Sequence, residues 1–491
     1  MDIFKRPMFF AALICCTAAA ISLFVKSLAF VIIVASLILV SIVIANKRYN
    51  YITVLIAIVL FLISFFLQFS KIEQINTRDG EKIRGSFLVT EETTDHGEFC
   101  SAVFKEVGCS SIPNGVSILV FDYKKTELQM GEILDTTLKL SSIDYYDEYR
   151  LSDYSNAIYA TASVVELKKT GNYNNFYKTA GNIRKYVKET VTSHFSGDTA
   201  GLLVALTTGD KTLLSDKFLG NVKTTGISHV IVVSGMHLSI IMAAVFWCLD
   251  RLFYNKYIRC LLSVAVVVLI AAVCGFTMSI LRAGVMFAIA GLAPIFNRDN
   301  DSLSSLLTAV TAVLIGMPFA VFNISFQLSV LSTLALIWVV PFYYNLIIKR
   351  FDISSKIFKT FIGTVLCSIF AILFTLPVTI MVFGYVSIVA PVTNLIISYP
   401  IMSALTLNIV ALIIWAIPIV KLLAYPLFWI AGFCSRLIVF IVNLIAKLPI
   451  TVAVMPKSAF WWSLLLLAVV IGYMYFYEYK KKRCDFNANS V

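Results

Sequence analysis

The stretch ITVLIAIVLFLISFFLQF, residues 52–69, carries no charge and runs through Ser70 into KIEQINTRDGEKIRG, residues 71–85. That boundary decides the fold. The apolar side is close to the ~20 residues a helix needs to cross the hydrocarbon of a bilayer. The polar side opens a long polar block, residues 71–200. Outward from the boundary, residues 9–25 and 28–45 form two further apolar stretches, separated by Lys26 and Ser27. Beyond the block, residues 227–479 are almost continuously apolar, with only Asp250, Asp299, Asp301 and Asp352 before Glu478. Of the 491 residues, 59% are hydrophobic and 14% are charged. Soluble domains run to about 45–50% and about 25%. A single soluble globule, a disordered chain and a fibre are excluded, and the chain reads as a polytopic α-helical membrane protein of about 10–12 spans.

The net charge of +12 is unevenly placed. Residues 71–200 hold 15 basic and 19 acidic residues, and the rest holds 25 basic and 9 acidic. The surplus lies in membrane-flanking loops, so it reads first as the Lys/Arg bias of cytoplasmic loops and second as a nucleic-acid surface. Lys5-Arg6 and Lys47-Arg48 place both ends of the first hairpin inside. The third stretch then leads outward, which puts residues 71–200 outside the cytoplasmic membrane. Further clusters at Arg251/Lys256/Arg259, at Lys349/Arg350/Lys356/Lys359 and over residues 480–483 mark cytoplasmic faces. No small-residue cleavage site follows a single short apolar core, so no removable signal peptide is read.

Inside the block, β-forming runs fall at residues 83–90, 98–107, 116–123, 133–140 and 157–167. Turn chemistry separates them at Asp95-His96-Gly97, Pro113-Asn114-Gly115 and Met130-Gly131. Five strands in about 90 residues suit a small β-barrel of OB type. Such barrels bind single strands on stacked aromatics, and Phe121, Tyr123, Tyr145, Tyr146, Tyr149 and Tyr154 are available. The acidic balance of the block favours a purely structural cap equally well. Eight of the ten cysteines sit in or beside apolar segments; Cys100 and Cys109 do not, and outside the membrane they could pair as a disulfide. Ile183, Val187, Val191 and Phe195 recur every four residues with Arg184, Lys185 and Lys188 between them. This is an amphipathic helix, to lie on the bilayer or pack on the β domain.

The densest polar signal in the apolar region is GISHVIVVSGMHLSII, residues 226–241, which holds His229, Ser234, Gly235 and His237. Polar groups in an apolar span are costly and mark function by default. Three readings stand side by side: a broken helix lining a polar path, a metal site, and helix packing around Ser234-Gly235. A serine hydrolase is set aside for want of an elbow motif and an orienting carboxylate. Gly209-Asp210-Lys211-Thr212 lacks the spacing of a phosphate loop. Arg282 lies in MSILRAGVMFAIAGL, residues 278–292, with no acidic residue within 15 positions. Asn323 and Gln327 stand four apart in NISFQLSVLSTLAL, residues 323–336. Pro377, Gly384, Pro391 and Pro400 bracket Asn394 in residues 376–400. Each could be packing, but four in series read as the lining of one polar conduit.

These segments in this order resemble the ComEC family, the inner-membrane DNA-uptake channels of bacterial competence. The family's HLLAVSGLH-like stretch is HVIVVSGMH here, residues 229–237. It follows an LxxGD-like segment, LTTGD at residues 206–210. Downstream stand Ser279 to Ala283 as S-x-x-R-A, Phe326-Gln327-Leu328-Ser329 as FQLS, and Pro377, Phe383-Gly384, Pro391 and Asn394-Leu395 as P…FG…PxxNL. The resemblance covers about residues 1–480. It implies N-terminal helices over residues 1–70, an extracellular OB-like domain over 71–170, connecting amphipathic helices over 171–225, a competence-type membrane domain over 226–480 and a cytoplasmic tail over 481–491. It implies Asp210, His229, Ser234, Gly235, His237, Arg282, Gln327, Pro391 and Asn394 as channel-lining or motif residues.

The implied function is conduction of single-stranded DNA into the cytoplasm through the bacterial cell membrane, with both termini inside. Alternatives are a transporter of another anionic polymer or lipid and a non-transforming member of the family. The HxHxDH motif of the metallo-β-lactamase-like domain that many members carry is absent, so no nuclease activity, no metal and no cofactor are expected of this chain. Implied partners are the lipid bilayer, a DNA-capture protein outside, a cytoplasmic ATPase and a separate nuclease. Self-association as a homo-oligomer stays open.

Overall fold

The computed structural model describes residues 7–22, 51–95, 97–142, 151–231, 235–292, 295, 301–448 and 451–488. The apolar stretch 28–45 lies outside them. Helices α1 (Pro7–Ser22) and α2 (Tyr51–Asn76) pack together, and α2 continues past its apolar run until Lys71 Nζ donates to the Asn114 carbonyl at 3.0 Å. The chain then enters a sheet of β1 (Lys82–Val89), β2 (Thr94–Asp95), β3 (Cys100–Gly108), β4 (Ser117–Asp122), β5 (Glu132–Ser142) and β6 (Ile158–Tyr173). All five strands expected from the sequence form within a few residues of their expected bounds. The reason is local: in β3 and β4 alternate residues are buried, so Ala102, Phe104, Ile118 and Val120 face one interior. The strand order is β1-β5-β6-β4-β3-β2, and β1 also pairs with β3. The sheet therefore curls until its first and third strands meet, with β4 and β6 running parallel.

The disulfide is corrected. Cys100 opens β3 and Cys109 follows its last residue, and both thiols are free. An extended strand rises about 3.3 Å per residue, so the two Cα atoms stand some 30 Å apart, far beyond the ~7 Å a bridge tolerates. Tyr154 is also unavailable for base stacking. It is buried in the short helix α3 (Leu151–Ser155), with its ring 6.0 Å from Phe319. Tyr145, Tyr146 and Tyr149 lie outside the described residues.

After the sheet come α4 (Asn175–His194), α5 (Gly197–Thr208), α6 (Asp216–Thr224) and the single turn α7 (Ser228–Ile231). Helix α4 does not lie free on a bilayer. Its apolar stripe is covered: Val187 and Val191 join α5, α6 and two later membrane helices in one core, and Ala180 joins Met130 of the sheet domain. The remaining helices are α8 (Gly235–Leu252), α9 (Lys256–Val273), α10 (Met278–Leu292), α11 (Ser302–Gly316), α12 (Ile324–Leu334), α13 (Val340–Arg350), α14 (Lys356–Phe383), α15 (Ala390–Trp415), α16 (Ala424–Ile445) and α17 (Ala459–Ala488). Among the described residues eight helical segments are long and apolar enough to span a bilayer, and Met278–Leu292 and Ser302–Gly316 are shorter apolar helices. This is a multi-pass helical membrane protein with an inserted sheet domain.

Pro377 and Pro400 lie within α14 and α15 without ending either helix. A π turn, Ala335–Val339, joins α12 to α13 just ahead of Pro341, whose missing N–H frees a carbonyl in the preceding turn. The sheet domain is bolted to the helices by side chains. Asn323 Nδ2 donates to Ser155 Oγ at 3.2 Å and Asn156 Oδ1 at 2.9 Å. Tyr159 Oη donates to Gln68 Oε1 at 3.1 Å, and Gln68 Nε2 donates to the Gly316 carbonyl at 2.8 Å. One buried core runs continuously from α1, α2 and α11 into the sheet interior.

Candidate functional site

The four polar segments of the membrane region meet. Gly226 ends the turn after α6 with φ +76°, and a Cβ there would stand 2.7 Å from Ser387 Cβ and 2.6 Å from Ala390 Cβ. The first segment is thus pressed against the fourth. At the head of α8, a Cβ on Gly235 would come within 3.0 Å of an Arg282 guanidinium nitrogen and 3.5 Å of Ala283 Cβ. The first segment is thus also pressed against the second. From α10, Arg282 Nε donates to Ser329 Oγ at 3.0 Å and Ser279 Oγ donates to the Ser325 carbonyl at 3.3 Å. These bonds tie the second segment to the third. Glycine is required at Gly226, where φ is positive and the facing Cβ atoms occupy the space a side chain would need, whereas at Gly235 the tip of Arg282 would have to give way.

Arg282 is 4% exposed. Its other hydrogen bond runs from Nη1 to Met286 Sδ at 3.2 Å, and no carboxylate among the described residues pairs with it. A hydrogen bond to a charged group contributes about 1.5–3 kcal/mol, so the two contacts offset much of the ~2.5–3.5 kcal/mol that an arginine at the centre of a membrane helix costs on the mildest scale, but neither supplies a counter-charge. The guanidinium keeps an unneutralised positive charge beside Gly235. His237, one turn into α8, is fully buried near Leu238 and Met242. His229 lies in α7, with its ring bonded to the Gly226 backbone. Ser234 lies outside the described residues. No group of three His, Cys, Asp or Glu side chains gathers as a metal site among the described residues.

Other expected residues take supporting positions. Gln327 Nε2 donates to the Val321 carbonyl at 2.8 Å and so closes the loop ahead of α12. Asn323 caps that helix, accepting from the Phe326 N–H at 3.1 Å, while it holds the sheet domain. Pro391 sits in the first turn of α15, where its fixed φ suits a helix start, and Asn394 follows it, half-buried. Gly384 ends α14 with φ +69°, and the chain continues as the small ladder of Tyr385–Ser387 with Val452–Val454. The signal for Asn323 was readable as a helix cap, an Asn just ahead of an apolar periodic run. Its partners Ser155 and Asn156 had no sequence signal.

Asp210 forms a clasp. Lys188 Nζ approaches Asp210 Oδ2 at 3.2 Å and donates to Thr212 Oγ1 at 3.1 Å, and the Thr212 N–H donates to Asp210 Oδ1 at 2.9 Å. Burial pushes this carboxyl up, but the Thr212 bonds and the Lys188 ammonium outweigh it and hold it below the usual carboxylate range. A carboxyl depressed in the folded state contributes stability that is present above its unfolded pKa and lost as pH falls through its folded one. The thermal midpoint of the purified chain should therefore drop on acidification below the ordinary carboxylate range. The Asp210→Asn variant should start lower at neutral pH and show a shallower drop. Parallel pH profiles for the two would show that the clasp carries no such linkage.

Comparison with known proteins matches the region just described. A profile of the competence protein family matches residues 206–481. ComE operon protein 3 of Bacillus subtilis is 26% identical over 254 residues, covering 51% of this chain and 30% of that protein. The chain thus aligns with under a third of that relative's length. No solved structure matches it. The matched region takes in more than half of the chain, and all four polar segments fall inside it; the chain belongs to the competence protein family.

Proposed function

We propose that this chain is a membrane conduit for one strand of DNA during natural transformation. The observation that carries the reading is Arg282, a buried cation with neutral partners where its own segment meets Gly235 of the first and Ser329 of the third. Carrying a phosphate across hydrocarbon is prohibitive unless polar or positive groups replace its water. A guanidinium with spare donors beside Gly235 supplies such a group, and Arg binds phosphate in a fork that Lys cannot match. The sheet domain lies outside in this reading, as an OB-like cap fixed to the path by Asn323 and Gln68. The basic loops and both termini lie inside. The residues conduct rather than catalyse, so capture outside, pulling by an ATPase and removal of the other strand fall to separate partners.

The test follows labelled double-stranded DNA into cells of the source organism carrying the intact gene or a deletion. Loss of nuclease-protected single strands in the deletion, restored by the gene in trans, is the expected outcome. Unchanged uptake in the deletion removes the reading and moves transport of another anionic polymer or a lipid to first place.

A further inference from the structure

At the end of the helical domain away from the sheet, basic and aromatic side chains alternate along two loops. The end of α9 at Val273 touches the sheet domain: Ala272 and Val273 share a core with Met130, and Arg184 bonds to the Val273 carbonyl. Its other end, Lys256, is 17 residues away, about 26 Å along a helix. The run from α12 to α13, Ile324–Arg350, likewise starts beside the Asn323 latch and is 27 residues long, about 40 Å. The loops that follow α8 and α13 therefore sit at the far face.

On that face the Arg251 guanidinium lies over the Trp247 ring at 4.7 Å, and Lys256 Nζ lies 5.7 Å from the Tyr257 ring. Tyr254 is 106% exposed, fully in solvent, and Phe351 is 68% exposed. Residues 250–259 and 349–359 together hold seven basic residues against Asp250 and Asp352. Asp250 is taken up by Arg259.

We infer that these two loops form a receiving surface for single-stranded nucleic acid leaving the membrane, in which Trp247, Tyr254 and Phe351 stack on bases while Arg251 and Lys256 hold phosphates. The inference rests on the conduit reading. Charge complementarity selects an anionic partner, and the rings select one with flat faces, as in proteins that bind single strands without sequence preference. A head-group belt is the competing explanation for Trp, Tyr, Lys and Arg at this level. Such a belt places rings on helix flanks, where Trp247 of α8 stands. Tyr254 and Phe351 lie past the helix ends, in the turn after Leu252 and directly after Arg350. The loop also continues α8, the helix whose first residue, Gly235, touches Arg282.

The experiment uses the full chain in nanodiscs of neutral lipid and a labelled oligo-deoxythymidine, read by fluorescence anisotropy across a salt series. The Trp247→Ala/Tyr254→Ala/Phe351→Ala variant should bind at least tenfold more weakly, since each stacked base contributes roughly five- to a hundredfold. The Arg251→Gln/Lys256→Gln variant should flatten the log–log salt slope by about 1.4, at about 0.7 per lost phosphate contact. Trp247, Arg251, Tyr254 and Phe351 are exposed and Lys256 is half-buried, its Nζ donating to the Ile295 carbonyl at 3.4 Å, so matched thermal midpoints confirm the fold. Intact-like binding by both variants overturns the inference. So does a loss confined to association with anionic vesicles, which assigns the loops to lipid. Weakened binding by these variants alongside normal DNA uptake in the deletion strain would keep the surface and sink the conduit. Unaltered binding alongside lost uptake would do the reverse.

Discussion

Replacing Arg282 with methionine is expected to abolish DNA uptake while leaving the protein in the membrane at its normal level and at least as stable. The two effects separate because the residue sits where it is unfavourable. Its charge is buried against Ser329 Oγ and Met286 Sδ, and exchanging buried ionic groups for apolar ones of similar volume is often neutral or stabilising by about 1–4 kcal/mol. A phosphate passing about 4 Å from the guanidinium gains about 4 kcal/mol at an effective dielectric constant near 20. Without that term the barrier rises enough to slow import by roughly a hundredfold or more. Arg282→Lys keeps the charge but loses the planar fork and its bond to Ser329, so it should import at an intermediate rate. Three readouts decide: membrane level, thermal midpoint, and nuclease-protected label in cells. A methionine variant that is destabilised yet imports normally would make Arg282 a packing residue.

A large structural effect is expected at Gly226. Alanine there carries a positive φ that costs an L-residue about 1–2 kcal/mol. It also drives a methyl group into Ser387 Cβ and Ala390 Cβ, an overpacking that adds about 1–3 kcal/mol. The sum is a large share of the ~5–15 kcal/mol that separates folded from unfolded in typical domains. The Gly226→Ala variant should unfold at a clearly lower temperature. Ala390→Gly and Ser387→Gly added to it should recover the steric part and leave the backbone part. A midpoint unchanged from the parent would mean that the turn and the start of α15 do not meet in solution, and the joining of the first and fourth segments would fall with it.

Much of the architecture was legible along the chain. Residues 52–69 announce a span because hydrophobic length alone sets it. The five strands announce themselves because burial alternates with period two, and turn residues such as Gly115 and Gly131 stop each run. Arg282 and His237 stood out because polar groups are costly in an apolar span. Local signals misled where a residue's partner is distant. Cys100 and Cys109 look like a pair in a short stretch, yet the stretch is one extended strand. Tyr154 looks like a stacking aromatic, yet it is a buried bolt against Phe319. Asn323 and Gln327 look like one polar face, yet one fastens the sheet domain and the other closes a loop.

Composition and local pattern fix the class of the protein, its longest apolar spans and its strands, and the small set of residues too costly to be casual. Each follows from hydrophobic length, period or the price of burying charge, and these are properties of neighbours along the chain. Tertiary packing alone joins Gly226 to Ser387 and Gly235 through Arg282 to Ser329, and leaves Arg282 without a carboxylate partner among the described residues. Which helices pack is a non-local choice, made by the fit of glycines against facing side chains, and no window of sequence contains both sides of that fit.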